Sequence, residues 1–156
     1  MAKKLTKDII DLIHDPATTT VLATLDGNGF PEAVVTDTIR VDEHGNLLYL
    51  ELLESSGTNR NLVRSIWFNG RVAVAVGGKA GERWQIKGRP VKTHITGDLF
   101  LQHYQEVREQ RGDVELAAVW VIEPDEVADE RFETRKSEEE RAHPSFRHLD
   151  RLARTA

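Results

Sequence analysis

Three hydroxyls and a glycine stand together near the middle of the chain, at Ser55, Ser56, Gly57 and Thr58, immediately ahead of a segment with helical periodicity. Hydroxyls and unpaired backbone amides that open a helix point the same way, and the helix dipole adds positive character there. That is the chemistry of a phosphate or carboxylate site. The other reading of the same residues is an ordinary capped helix after a polar loop, with Thr58 as the N-cap.

Other candidate chemistry is sparse. There are no cysteines, which excludes disulfides, thiolate metal sites and thiol catalysis and fits an intracellular protein. The six histidines, His14, His44, His94, His103, His143 and His148, include no pair at a metal-ligand spacing. Gly77 to Gly81 is glycine-rich but lacks the spacing and the Lys-Ser/Thr ending of a P-loop, so it reads as a hairpin loop. Asp26 to Gly29 lacks the acid and glycine spacing of an EF-hand and reads as a hairpin turn.

The totals narrow the classes further. A chain of 156 residues with 39% hydrophobic and 30% charged residues is expected to form one domain. At that length roughly 68–70% of the unfolded surface is buried on folding. A formal charge of -5 and a pI near 5.7 argue against a nucleic-acid partner, which needs a basic face. No apolar run approaches the roughly 18 residues of a membrane span, and the basic Met1 to Lys4 leads into an amphipathic helix rather than a signal peptide. The expected location is the cytoplasm.

The elements that must position the hydroxyl loop follow from periodicity. Thr6 to His14 reads as a helix that buries Leu5, Ile9, Leu12 and Ile13 and ends at Pro16. Thr18 to Leu25 and Ala33 to Val41 read as strands joined by the Asp26–Gly29 turn. The strand from Leu47 is apolar on both faces except at Glu51, as a closed or doubly covered sheet requires. After the loop, Leu62, Val63, Ile66 and Trp67 share one helical face, and Asn69 with Gly70 ends the helix. Strands follow over Arg71 to Val76 and Arg83 to His94, the latter bent at Gly88 and Pro90. A helix over Thr96 to Gln110 turns Leu99, Phe100, His103, Tyr104 and Val107 inward, and a last strand covers Val114 to Glu123. This order predicts a mainly β fold with flanking helices (α+β), a six-stranded antiparallel barrel over residues 1–127. Residues 128–156 read as a charged helical C-terminal tail. Its Phe146, Leu149 and Leu152 share a side, which hints at docking on the barrel or on a second subunit.

Three stretches in this order carry a family resemblance: Pro31-Glu32-Ala33-Val34-Val35-Thr36; Leu50 to Thr58 leading through Asn61-Leu62 into Gly70-Arg71-Val72-Ala73-Val74; and Trp84-Gln85-Ile86-Lys87-Gly88. Over roughly Asp8 to Val127 the chain resembles the FMN-binding split-barrel proteins related to pyridoxamine 5'-phosphate oxidase. The resemblance implies a homodimer with FMN in a groove between the subunits, and a flavin-dependent oxidoreductase acting on a small-molecule substrate or electron donor. A non-enzymatic FMN-binding or electron-transfer protein would use the same groove, and relatives that handle haem or deazaflavin leave those ligands open.

Carried over by position, Val35, Thr36 and Asp37 would border the flavin ring, and the backbone of Glu51, Leu52 and Leu53 would touch it. Ser55, Ser56 and Thr58 would hold the phosphate. Trp84 and Gln85 would reach in from the second subunit, while Asn61 looks structural. Members of the family usually carry a lysine or arginine just before this helix. Here no basic residue lies between Glu51 and Asn59, which leaves Arg60 as the nearest cation, with Arg40, Arg64 and Arg71 as possible substitutes. No residue is singled out as a catalytic acid or base, because a flavin carries its own redox chemistry.

Overall fold

A computed structural model of the chain describes residues 4–146. Eleven elements run in the order α1 (Lys7–His14), β1 (Thr19–Leu25), β2 (Pro31–Thr36), β3 (Ile39–Val41), β4 (Leu47–Glu51), α2 (Gly57–Trp67), β5 (Val72–Gly77), β6 (Arg83–His94), α3 (Asp98–Arg111), β7 (Ala118–Asp129) and α4 (Phe132–Ala142). The fold is mostly β with flanking helices, as expected, but the sheet has seven strands rather than six.

The extra strand comes from a corner at Asp37 and Thr38, where the expected single strand over Ala33 to Val41 divides into β2 and β3. The Thr36 hydroxyl accepts from the Thr38 amide at 3.1 Å, and the Thr38 hydroxyl donates to the Leu50 carbonyl at 2.8 Å. These local bonds take over from the ladder at the bend. The strand order is β2-β1-β5-β6-β7-β4-β3, so β2 and β3 lie at opposite edges of the sheet although two residues join them. A sheet whose first and last strands are consecutive in the chain must curl until its edges meet. The result is a barrel closed by a corner instead of by a hydrogen-bonded seam.

All strand pairings are antiparallel. Strand β6 bends at the expected place, with register shifts at Lys87/Gly88 and Pro90/Lys92. A Cβ at Gly88 would sit 2.4 Å from the Glu123 carbonyl oxygen, so the close approach of β6 and β7 requires glycine there. Strand β7 begins later than expected, at Ala118, and continues past Glu123 to Asp129. Pro124 does not end it, because that residue is paired with Gly88 at the irregularity, where the missing N–H does no harm.

Two apolar clusters divide the core. Leu22, Leu47, Tyr49, Leu62, Val74, Ile86, Trp120 and Ile122 fill the barrel, with Leu5, Ile9 and Ile13 of the α1 segment packed on the same cluster. Leu48, Leu50, Val119 and Val121 face the other way and pack with Val107 of α3. The two-sided apolar pattern of β4 is thereby accounted for, since one face looks into the barrel and the other is covered by α3.

Helix α2 is turned from its expected orientation. Its buried residues are Thr58, Asn61, Leu62 and Ser65, whereas Val63, Ile66 and Trp67 are exposed. The polar face is buried because each group finds a partner. Asn61 donates to the Thr24 hydroxyl at 3.0 Å and to Glu32 at 2.9 Å, and Ser65 donates to the Asn61 carbonyl. Asn69 takes the positive φ of 53° that releases the chain into β5.

At its far end the barrel is tied to α4, a helix with no buried residue. Asp129 accepts from the Arg131 amide and guanidinium and from the Thr134 hydroxyl. The Arg131 hydrogen bond is the main cause that pulls the Asp129 carboxyl down to about 2, against the opposing effect of burial. Because the folded value lies below the ordinary one, this contribution is complete above the ordinary carboxylate range and is lost as pH falls toward 2. Asp129→Asn is expected to speed amide exchange over α4 at neutral pH, and the difference from wild type should vanish as pH approaches 2. Of the expected tail stripe, Phe146 is exposed, and Leu149 and Leu152 lie outside the described residues. Among the described residues no helix is long and apolar enough to cross a membrane.

Candidate functional site

The register of the first sheet half sets which residues share a face. Val35 lies opposite Val21, Val21 opposite Ala75, and Ala75 opposite Gln85, so these four form one row on the outside of the barrel. Beside it runs a second row, Ala33, Ala23, Ala73 and Lys87. Val35 is 77% exposed, and Leu25 at the end of this face is also exposed. The helices lie elsewhere, with Leu62 of α2 inside the barrel and Val107 of α3 on the β4 and β7 face. Strands β2, β1 and β5 thus present a face of small apolar side chains to the outside, bordered on β6 by Gln85 and Lys87.

Thr36 and Trp84 belong to the opposite, inward face, linked through Thr20 and Val76. The Thr20 hydroxyl donates to the Thr36 carbonyl, and Trp84 packs against the barrel core. Asp37 stands at the corner and pairs with Arg111 at 2.6 Å. A cleft of about 390 Å³ opens beside it, between the ends of α1 and α3 and strand β3, and its lining includes His14, Thr18, Thr20, Arg40 and Gln110. The Thr18 hydroxyl oxygen is buried there without a hydrogen-bond partner.

The hydroxyl loop has a different occupant from the one expected. Ser56, not Thr58, caps α2, accepting from the Asn59 amide at 2.9 Å. Thr58 lies within the helix and is buried, while Ser55 and Leu53 are exposed. Glu51 is only 3% exposed. Its carboxylate accepts from the Tyr49 hydroxyl at 3.1 Å, the Ser56 hydroxyl at 2.8 Å and the Leu53 amide at 3.0 Å. Burial, with the Glu51 charge and hydrogen bond added, holds the Tyr49 phenol far above its ordinary range, so it stays a donor. On the other side of the same turn, Glu32 approaches so closely that a Cβ on Gly57 would meet its carboxylate oxygen at 2.8 Å.

The expected cations do not balance these acids. Arg60 is exposed. Arg40 is committed to Glu106, with Nε and Nη2 at 3.0 and 2.6 Å from one carboxylate oxygen, while His103 holds the other. Burial pushes the Glu106 carboxyl up, but the Arg40 and His103 contacts together outweigh it and hold the group below its usual value. Arg64 lies over the Phe68 ring, and Arg71 lines a shallow apolar depression near Lys87. Among the described residues none of these four guanidinium groups bonds to the loop. The residues present therefore do not fit a phosphate dianion at the first turn of α2. The buried Glu51 carboxylate already occupies the Ser56 hydroxyl that caps this turn, and among the described residues no cation is bonded beside it to offset a second anion.

Of the sequence-derived positions, the structure joins Glu51, the Leu53 amide and Ser56 in one hydrogen-bonded unit and aligns Val35 with Gln85. The Leu52 side chain packs on the cluster that includes Val107 of α3. Tyr49, Glu32 and Arg111 were missed. The break in apolar alternation at Glu51 was the only local signal for any of this, since the partners come from distant strands. For metals or haem, His143 stacks on Phe146 with ring centroids 4.4 Å apart, and His148 lies outside the described residues. No cluster of three or more His, Cys, Asp or Glu suited to a metal ion occurs among the described residues.

No family model matches the sequence, and no curated protein matches it. Solved structures do match in shape. HupZ from Group A Streptococcus superposes with a TM-score of 0.69 at 18% identity, over 82% of this chain and 95% of that one. An FMN-binding protein from Syntrophomonas wolfei gives 0.64 at 14% identity, over 76% and 81%. HutZ, the haem storage protein from Vibrio cholerae, gives 0.56 at 14% identity, over 81% and 95%. Pyridoxamine 5'-phosphate oxidase-like structures are similar as well. The chain has the split-barrel fold of that group, and at these identities the likeness is one of fold.

Proposed function

We propose that this split-barrel chain works as a homodimer holding the planar ring of a flavin-class ligand along the seam between two subunits. The observation that carries the proposal is the outer row Val35, Val21 and Ala75, a small apolar face on one chain bordered by the polar Gln85 of β6. A second copy related by a two-fold axis would cover it with the same surface, as isologous interfaces do. The row ends at the Asp37 corner. Val35 and Asp37 of one chain would then border the ring, and the partner subunit's Gln85 would close it, while Thr36 and Trp84 back this face from inside the barrel. The likeness to an FMN-binding protein supports a flavin as the occupant.

A bound flavin supplies hydride or single-electron chemistry. The residues of this chain bind and orient it, and the Asp37–Arg111 pair places a fixed charge pair at the ring's edge. A small-molecule substrate or electron donor would enter by the cleft beside Asp37. Turnover of such a substrate makes the protein an oxidoreductase, and binding alone makes it a carrier.

A second reading, haem in the same seam, is favoured by the likeness to HutZ. Light scattering after gel filtration, together with titration by riboflavin, FMN and haemin, separates the readings. The proposal expects twice the 17.6 kDa chain mass and saturable quenching of riboflavin fluorescence. A monomer that binds none of the three overturns it, and a spectral shift with haemin alone transfers the seam to haem.

A further inference from the structure

We infer that Glu51 is a built-in anion standing where the ligand's phosphate would lie, so that the seam selects a ring whose tail carries no phosphate. The inference rests on the flavin-class reading and makes it more specific. Three donors converge on the buried Glu51 carboxylate: a phenol, a hydroxyl and a backbone amide. The hydroxyl belongs to Ser56, whose oxygen caps α2, so the carboxylate is coupled directly to the positive end of the helix dipole. No acidic residue lies in the first turn of α2 itself. The turn takes its negative charge from Glu51 on one side and from Glu32, against Gly57, on the other.

The Ser56 hydroxyl and the Asn59 amide, the centre of the apparent phosphate cradle, are thus used internally. A phosphate brought to this turn would find Ser56 engaged, Thr58 buried and two carboxylates facing it, with no guanidinium bonded to the loop among the described residues. Like charges at such separations in partly buried surroundings weaken binding by about 100-fold or more. A ribityl tail without phosphate meets no such opposition. Its hydroxyls can donate to the part-exposed Glu32 carboxylate.

The test measures dissociation constants for lumiflavin, riboflavin and FMN on the wild-type protein, on Glu51→Gln and on Glu32→Gln, with each tail's effect expressed relative to lumiflavin on the same variant. Wild type is expected to bind riboflavin at least about 100-fold more tightly than FMN, and Glu51→Gln to bring the two within about tenfold. Glutamine keeps an acceptor for the Leu53 amide, and its NH2 would donate to the Tyr49 and Ser56 hydroxyls that now donate to Glu51. FMN binding to wild type within threefold of riboflavin would overturn the inference and leave the flavin reading standing. A preference for riboflavin that neither substitution changes would remove it from these carboxylates. Failure of lumiflavin and riboflavin alike to bind wild type would overturn the flavin reading, and the inference with it. If Glu51→Gln does not fold, the wild-type ratio and Glu32→Gln decide.

Discussion

Val35→Asp is expected to leave the barrel folded and to split the dimer. The side chain at this position is 77% exposed on one chain, so a carboxylate there costs the monomer little. In the proposed dimer the same position lies in an apolar face that meets its own copy, and the substitution places a charge in that seam twice. Desolvating a carboxylate without a partner costs several kcal/mol. The dimer constant should therefore rise by at least about 100-fold. Ligand binding is expected to fall with the dimer, because the proposed ring site is formed between two subunits. An unchanged circular dichroism spectrum and melting midpoint at low concentration, beside a monomeric mass, is the expected pattern. A dimer that survives Val35→Asp would place the interface on another face.

Gly88→Ala is expected to be the most damaging single methyl in the sheet. The new Cβ would lie 2.4 Å from the Glu123 carbonyl oxygen and 3.1 Å from its carbon, both backbone atoms that cannot rotate away. Strands β6 and β7 must separate where β6 bends, and β6 is the strand that links the two halves of the barrel. Overpacking of this kind costs about 3 kcal/mol, or roughly 6–12 °C in melting temperature for a chain of this length. Gly81 supplies the control. It has a φ of +87° and nothing within 4 Å of where an added methyl would sit, so Gly81→Ala carries only the conformational penalty, about 1 kcal/mol. Equal losses at the two positions would show that β6 and β7 are not so tightly apposed.

Local pattern made most elements legible. The apolar spacing of α1, the turn at Asp26 to Gly29, the span of β6 with its bend, and the two-sided burial of β4 were all readable, because each depends on residues close in sequence. The corner at Asp37 and Thr38 was not. The run from Ala33 to Val41 carries no glycine or proline to mark a turn, and only the distant Leu50 carbonyl and the closure of the barrel reveal that β2 and β3 belong to opposite edges. The orientation of α2 was misread for a similar reason. Hydrophobicity favours burying Val63, Ile66 and Trp67, but Thr24 and Glu32 supply partners that bury Asn61 instead.

The candidate site shows the same division. Ser55, Ser56 and Thr58 ahead of a helix announce an anion, and sequence order alone cannot say whether that anion arrives with a ligand or is already in the chain. Glu51 precedes Ser56 by five residues, and the path of β4 into the loop turns it back onto the cap. The bare outer face was also hidden, since the rows through Val35 and Ala33 exist only after β2, β1, β5 and β6 are placed in register.

Sedimentation equilibrium of the wild-type protein with riboflavin, followed in the flavin absorption band, tests the central claim most directly. Flavin absorbance is expected to sediment with a species of twice the 17.6 kDa chain mass. Val35→Asp is expected to return the chain to the monomer mass and the flavin to the free fraction. Flavin absorbance that never sediments with protein, whatever the chain's own mass, would contradict a ring-binding seam.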